Sequence, residues 1–250
     1  MKVSLIYYTG MGMADPLFGA RLLAYTKATR MEQGEEGFAS FLAKPAADLK
    51  EELAYIANTI RSSWEFIDFH FQVTGVTRAF THQLVRTRTG SYAQQTQRMI
   101  DASGAAVEMP ESVRNNPVAR AAWEQGVTTM MEAYREMQGA GIPNQDARGI
   151  LPTNVHTSII VKFNLRTLAD IVGKRENLRA QGEYADVARA MAREAIEVMP
   201  WITPFLYPER KATPALDALL KEVLGDRSPT DVPGVAAALK DVDKLKETWG

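Results

Sequence analysis

The sequence predicts an α+β fold, a sheet with helices packed against it. Three observations predict it. Apolar or alternating stretches read as strands at Val3–Tyr8, Trp64–Val73 and Thr157–Phe163. Stretches with the three-to-four-residue period of amphipathic helices lie between and after them. One helical stretch, Ser112–Gln138, is much longer than the rest.

In order, Val3–Tyr8 is apolar and β-branched or aromatic, and Thr9-Gly10 closes it. Asp15-Pro16 is a helix start, with Asp as cap and Pro at the first helical position, and the helix runs over Leu17–Arg30. A second helical stretch covers Glu35–Ala43 and breaks at Pro45. Asp48–Ile60 follows, with Leu49, Leu53, Ile56 and Ile60 on one face. In the strand Trp64–Val73, Phe66, Asp68 and His70 face one way, and Ile67, Phe69, Phe71 and Val73 the other. Gly75 turns the chain into a helix over Val76–Arg86, where Arg78, His82 and Arg86 share a face as one wall of a positively charged pocket. Ser103–Pro110 is a connection. The long helix is interrupted in pattern at Pro117 and ends at Gly139-Ala140-Gly141. Short helices follow at Asn144–Ile150 and Asn164–Gly173, and a longer one at Ala180–Val198, with the polar run Lys174–Arg179 between the last two. From Pro208 the composition shifts, with two short helices expected at Ala215–Leu224 and Gly234–Lys246. Residues 1–207 are therefore expected to form the main domain and 208–250 a C-terminal helical appendage.

Composition narrows the function. The 250 residues carry a net charge of −1 and a pI near 6.3, without the basic footprint of a general nucleic-acid binder. No apolar run approaches the roughly 20 residues of a membrane span. The apolar start Met1–Tyr8 lacks a small-residue cleavage site, so a cytoplasmic protein is expected. There is no cysteine, which excludes disulfides, thiolate metal sites and thiol nucleophiles. The three histidines, His70, His82 and His156, do not stand at metal-ligand spacing on one helix face, so no metal site is expected. Demanding chemistry then falls to a bound organic cofactor.

The stretch Arg86–Arg98 holds three arginines among Ser, Thr, Gln and Tyr, with almost no aliphatic residue. A core strand or helix is not built this way, because each buried polar group needs a partner. Arginine grips phosphate or carboxylate bidentately, and Ser, Thr and Gln both donate and accept. The segment reads as a pocket for a phosphorylated, hydrogen-bonding small molecule. The alternative is an exposed polar loop making surface ion pairs.

The spacing Arg86-x-Arg88, Ser91, Thr96, Arg98, preceded by Thr77-Arg78-Ala79-Phe80-Thr81-His82-Gln83-Leu84-Val85, resembles the signature of the flavin-dependent thymidylate synthases. A second constellation resembles the same family in the same order: Ala147-Arg148-x-x-Leu151-Pro152, Thr157, Asn164-x-Arg166-x-Leu168, Arg175 and Ala180-Gln181-x-Glu183. Together they span roughly Ser62 to Trp201.

The resemblance implies an α+β fold with a sheet and a long-helix subdomain. It implies reductive methylation of dUMP to dTMP with FAD, and with methylenetetrahydrofolate and NADPH as co-substrates. This suits the missing cysteine, since the unrelated class of thymidylate synthase activates uracil with a thiolate. Arg175 would activate the pyrimidine by favouring its N3 anion. Gln83, Arg86, Gln94, Gln95, Thr96, Arg98 and Arg148 would hold dUMP beside Arg175, with Gln94 touching both ligands. Ser62, Arg86, Thr87, Arg88, Gln94, Asn164, Arg166 and Asp170 would line the FAD site. The resemblance also implies a homotetramer with residues of one site drawn from different subunits.

The match departs at several histidines. Thr87 stands for the family's His in Arg-His-Arg, and Thr96 for a Ser. Ile60 and Phe66 stand where histidines are frequent, Asp170 replaces His or Asn, and Arg179 replaces His. Two alternatives stay open on this account: a flavin- and folate-dependent pyrimidine nucleotide hydroxymethylase, and a non-catalytic nucleotide-binding relative.

Overall fold

The structure, a computed structural model, describes residues 1–28, 37–175 and 182–208. It contains one four-stranded antiparallel sheet in the order β1-β2-β4-β3, formed by β1 (Lys2–Tyr8), β2 (Asp68–Thr77), β3 (Ser91–Gln94) and β4 (His156–Asn164). Helices α1 (Phe18–Ala28), α2 (Phe38–Leu42) and α3 (Ala46–Thr59) precede a 3₁₀ turn at Arg61–Phe66, and α4 (Arg78–Leu84) follows β2. Helices α5 (Glu111–Arg114), α6 (Pro117–Gly139) and α7 (Asn144–Ala147) lie between β3 and β4. After β4 come α8 (Leu165–Arg175), α9 (Gly182–Val198) and α10 (Thr203–Leu206). An antiparallel sheet with helices gathered against it is the α+β class that the sequence predicts.

The sheet alternates as half-buried strands must. Phe69, Phe71 and Val73 of β2 and Ile159, Val161 and Phe163 of β4 point into the core, where α3, α8, α9 and α10 add Ile56, Leu168, Met191 and Phe205. On the outer face Lys162 pairs with Asp68 at 2.7 Å. A second, smaller core forms where Tyr134 of α6 packs with Ala102, Ala147, Met137 and Leu151. This is the long-helix subdomain. Among the described residues no helix is long and apolar enough to cross a membrane.

Several boundaries differ from the sequence expectation. The strand expected from Trp64 begins at Asp68, because Trp64 turns inward and donates its indole N–H to the Ile56 carbonyl at 3.2 Å. It runs on to Thr77, since Gly75 adopts φ +64° and forms a bulge, which shifts the register between Thr74 and Val76. The following helix therefore starts at Arg78 rather than Val76. Thr77 caps it by accepting the Phe80 N–H at 3.0 Å. Within the polar segment, Ser91–Gln94 forms the edge strand β3, with Tyr92 turned inward and Ser91 and Ala93 outward. The expected long helix divides at Asn115-Asn116, and Asn116 caps α6 through the Val118 and Ala119 N–H groups, both at 3.1 Å. The start of the Glu35–Ala43 stretch, most of Lys174–Arg179, the start of Ala180–Val198 and nearly all of the 208–250 appendage lie outside the described residues.

Candidate functional site

Helix α4 buries Phe80, Thr81 and Leu84 and turns Arg78 and His82 outward, Arg78 half-buried and His82 exposed; it ends at Leu84, short of the expected Arg86, which is exposed just beyond it. Its C-terminal end is fixed by Tyr92, whose hydroxyl donates to the carbonyls of Leu84 (3.1 Å) and Thr87 (2.5 Å). Burial pushes the Tyr92 phenol up to about 12; Tyr184 adds in the same direction, and hydrogen bonding with Thr87 opposes. Gly90 closes the turn between α4 and β3. A Cβ there would collide with the Phe163 ring and lie 2.7 Å from the Tyr92 hydroxyl. This construction presents Arg86, Thr87 and Arg88 on a short, tightly tied turn.

Of the polar residues of β3, Gln94 turns back to the helix. Gln94 donates to the Thr81 hydroxyl at 2.7 Å, and the Gln95 N–H donates to the Ser158 carbonyl at 2.9 Å. Thr96 accepts the Arg98 N–H at 3.1 Å. Arg98 and Arg148 then meet over Gln145: Arg98 Nε donates to its side-chain oxygen and Arg148 Nε to its carbonyl, both at 3.0 Å. The Arg148 charge is also felt at Arg78. Burial, and then this neighbouring cation, lower the Arg78 pKa. Arg78, Arg98 and Arg148 thus gather with no ion pair to a described carboxylate.

Arg175, the last residue of α8, lays its guanidinium over the buried Tyr184 ring, 4.4 Å from the centroid. Tyr184 in turn packs edge-on against Phe80 of α4, with centroids 5.1 Å apart. Arg175 is therefore linked through Tyr184 to the inner side of the helix that carries Gln83.

The residues expected on the flavin side form a second group. Asn164 caps α8 by accepting the Thr167 N–H at 2.8 Å, and the Thr167 hydroxyl donates to that of Thr89 at 2.9 Å, beside the Thr87–Arg88 turn. Arg166 pairs with Glu65 at 2.7 Å and Asp170 with Arg61 at 2.5 Å, so two ion pairs of opposite direction clasp the 3₁₀ turn to α8. Ser62, on that turn, lines a cleft of about 360 Å³ with Leu22, Ile60 and Phe66. Among the described residues no hydrogen bond or ion pair joins this group to the Arg98–Arg148 group.

The donor set fits a flavin dinucleotide. Arg86, Arg88 and the Thr87 hydroxyl suit a pyrophosphate, the Ser62 hydroxyl lies at the cleft, and Leu22, Ile60 and Phe66 supply apolar wall for a ring. A larger cleft, about 710 Å³, lies elsewhere: Glu108, Glu111, Glu183 and Asp186 line it with Arg114, a wall of net negative charge that repels phosphate.

Sequence reasoning placed Arg78 on the wall of a positively charged pocket through its four-residue spacing from His82 and Arg86, but assigned it to neither ligand. It also missed the pairing of Arg61 and Glu65 with α8. Partners more than a hundred residues apart leave no local pattern.

Comparison with known proteins agrees with the motifs. The family model described as thymidylate synthase complementing protein matches residues 18–201. A protein of Nitratidesulfovibrio vulgaris named flavin-dependent thymidylate synthase is 36% identical over 159 residues, covering 59% of this chain and 65% of that relative. A Thermococcus onnurineus protein of the same name is 41% identical over 128 residues, covering 50% and 52%. A Pyrococcus furiosus protein of the same name is 34% identical over 199 residues, covering 78% of each chain. The aligned part thus spans from about half to four-fifths of these relatives.

Proposed function

Because the chain belongs to the thymidylate synthase complementing protein family, we propose that it is a flavin-dependent thymidylate synthase, converting dUMP to dTMP in the cytoplasm as a homotetramer. One observation carries this reading. Arg78, Arg86, Arg88, Arg98, Arg148 and Arg175, all in or beside the two motif segments, pair with none of the described carboxylates, nor do Arg120, Arg135 and Arg193 outside them, but Arg98 and Arg148 are further brought together on one residue, Gln145. Arginines without acid partners, Arg78 and Arg175 of them half-buried, are matched by an anionic ligand. A nucleoside monophosphate brings about two negative charges, on a phosphate suited to a guanidinium fork.

In this reading Arg98, Arg148 and Arg78 bind the phosphate. Gln83, Arg86, Gln94, Gln95 and Thr96 orient the sugar and base with hydrogen bonds. Arg175 stands at the pyrimidine, where its fixed charge favours loss of the N3 proton and makes C5 more electron-rich. Ser62, Arg86, Thr87, Arg88, Gln94, Asn164, Arg166 and Asp170 hold FAD, which supplies the reducing equivalents. Methylenetetrahydrofolate brings the one-carbon unit and NADPH restores the flavin.

The test is the mass of the nucleotide formed from dUMP with FAD, NADPH and methylenetetrahydrofolate. A methyl gain supports the proposal. A hydroxymethyl gain replaces it with the hydroxymethylase, and bound dUMP without any product replaces it with the binding role.

A further inference from the structure

The two motif segments meet at the first turn of α9. There Glu183 uses both carboxylate oxygens on one residue. Its Oε1 accepts the Thr77 N–H at 2.8 Å, and its Oε2 accepts the Thr77 hydroxyl proton at 2.5 Å. Thr77 is only 2% exposed, and the same hydroxyl oxygen accepts the Phe80 N–H. The carboxylate thus sits at the N-terminus of α4 and in the first turn of α9, where two helix dipoles favour negative charge. The next residue, Tyr184, lies under the Arg175 guanidinium and against Phe80. One dipeptide therefore touches both the helix that begins the Arg78–Arg98 segment and the arginine assigned to the pyrimidine.

We propose that Glu183 is a positioning residue: through Thr77 and Tyr184 it holds α4 and Arg175 in one frame, so that Gln83, Arg86 and Arg175 address the same nucleotide. This rests on the reading of the site as a dUMP site. Loss of the clasp lets the start of α4 move relative to α8, which weakens substrate binding and misplaces the activating charge together.

The test compares Glu183→Gln, Thr77→Val, Thr77→Ser and the Glu183→Gln/Thr77→Val double variant in the full chain. Glu183→Gln and Thr77→Val are each expected to lower kcat/KM for dUMP about tenfold, with KM rising and kcat falling, and KM for NADPH unchanged. Thr77→Ser keeps the hydroxyl and restores wild-type kinetics. The double variant loses no more than either single one, since one bond is removed in all three. Wild-type kinetics in Glu183→Gln or Thr77→Val, or additive losses, overturn the proposal. Amide exchange separates this from failure of the dUMP reading. If the wild type makes no nucleotide product, the clasp is still read from faster exchange over both 77–84 and 182–188 in Glu183→Gln and Thr77→Val but not in Thr77→Ser. Unchanged exchange in either segment overturns it. Should Glu183→Gln fail to fold, the two Thr77 variants read the same bond from its other end.

Discussion

Arg175 owes its place to a ring rather than to an acid. In the proposed role at the pyrimidine, a carboxylate partner would neutralise the charge, whereas the Tyr184 face orients the guanidinium and leaves the charge in place. Arg175→Ala is accordingly expected to abolish turnover while the folded oligomer persists, as read by product formation beside circular dichroism and gel filtration. Full activity in that variant removes Arg175 from its role. Thr87 is the departure nearest the flavin side. Its backbone carbonyl accepts the Tyr92 hydroxyl proton at 2.5 Å, a bond that does not depend on which side chain stands at this position. Thr87→His is expected to tighten FAD several-fold in equilibrium titration, by adding a ring and a nitrogen donor. Unchanged flavin affinity counts against a flavin site at this turn. Tyr92 makes a pH prediction. Its proton is held more firmly folded than unfolded, so the stabilisation is complete below about pH 10, the unfolded phenol value, and is lost as pH rises toward about 12. Denaturation midpoints of wild type should therefore fall more steeply over that interval than those of Tyr92→Phe. At this scale the sequence was informative about type and poor about partnership. The arginines and glutamines raised the expectation of a phosphate and a base, but the pairing of Arg166 with Glu65 joins distant positions and had no local signature.

Elements show where local pattern sufficed and where it was overruled. The alternation of Ile67, Phe69, Phe71 and Val73 identified the buried face of β2, and all four are fully buried. Its ends were misjudged because tertiary demands decided them: Trp64 fills the core beneath a 3₁₀ turn, and Gly75 serves as a bulge where a turn was expected. The edge strand β3 was hidden by its composition. Ser91 and Ala93 face outward, so only Tyr92 needed to be apolar, and one residue makes no period. The division at Asn116 was half legible, since Pro117 marked it and the Asn cap explains it. Helix α6 buries only Met131 and Tyr134 within the chain, so it depends on local terms more than the core helices do. Asn116→Ala should therefore cost about 1 kcal/mol of unfolding free energy in urea titration, the usual worth of an N-cap. A change within a few tenths of a kcal/mol would mean that α6 is held by tertiary contacts instead.

At the scale of the whole molecule, a single chain leaves too much uncovered near its site. Met99 is 76% exposed and Val118 81%, while Val85, Ile100, Ile142 and Ile160 are also exposed. Several of these flank the Arg86–Arg98 segment or the long-helix subdomain, and α6 presents most of its length to solvent. Apolar surface next to polar ligand groups suits an interface between copies that also builds the site. Within one chain, the Arg98–Arg148 group and the Ser62–Asp170 group are not joined by any described hydrogen bond or ion pair. The homotetramer proposed above accounts for both facts by letting one subunit supply the phosphate grip and another the flavin clasp. A mixing experiment decides it. Arg148→Ala and Arg166→Ala each remove one half of such a composite site, and each alone is expected to be nearly inactive. Co-expressed, they reassociate at random, and some sites then receive both intact halves. Recovered activity well above either parent, in a tetramer that gel filtration shows to contain both variants, is the expected result. If mixed tetramers form and stay as inactive as their parents, each site is built by one chain, and the exposed apolar residues serve assembly alone.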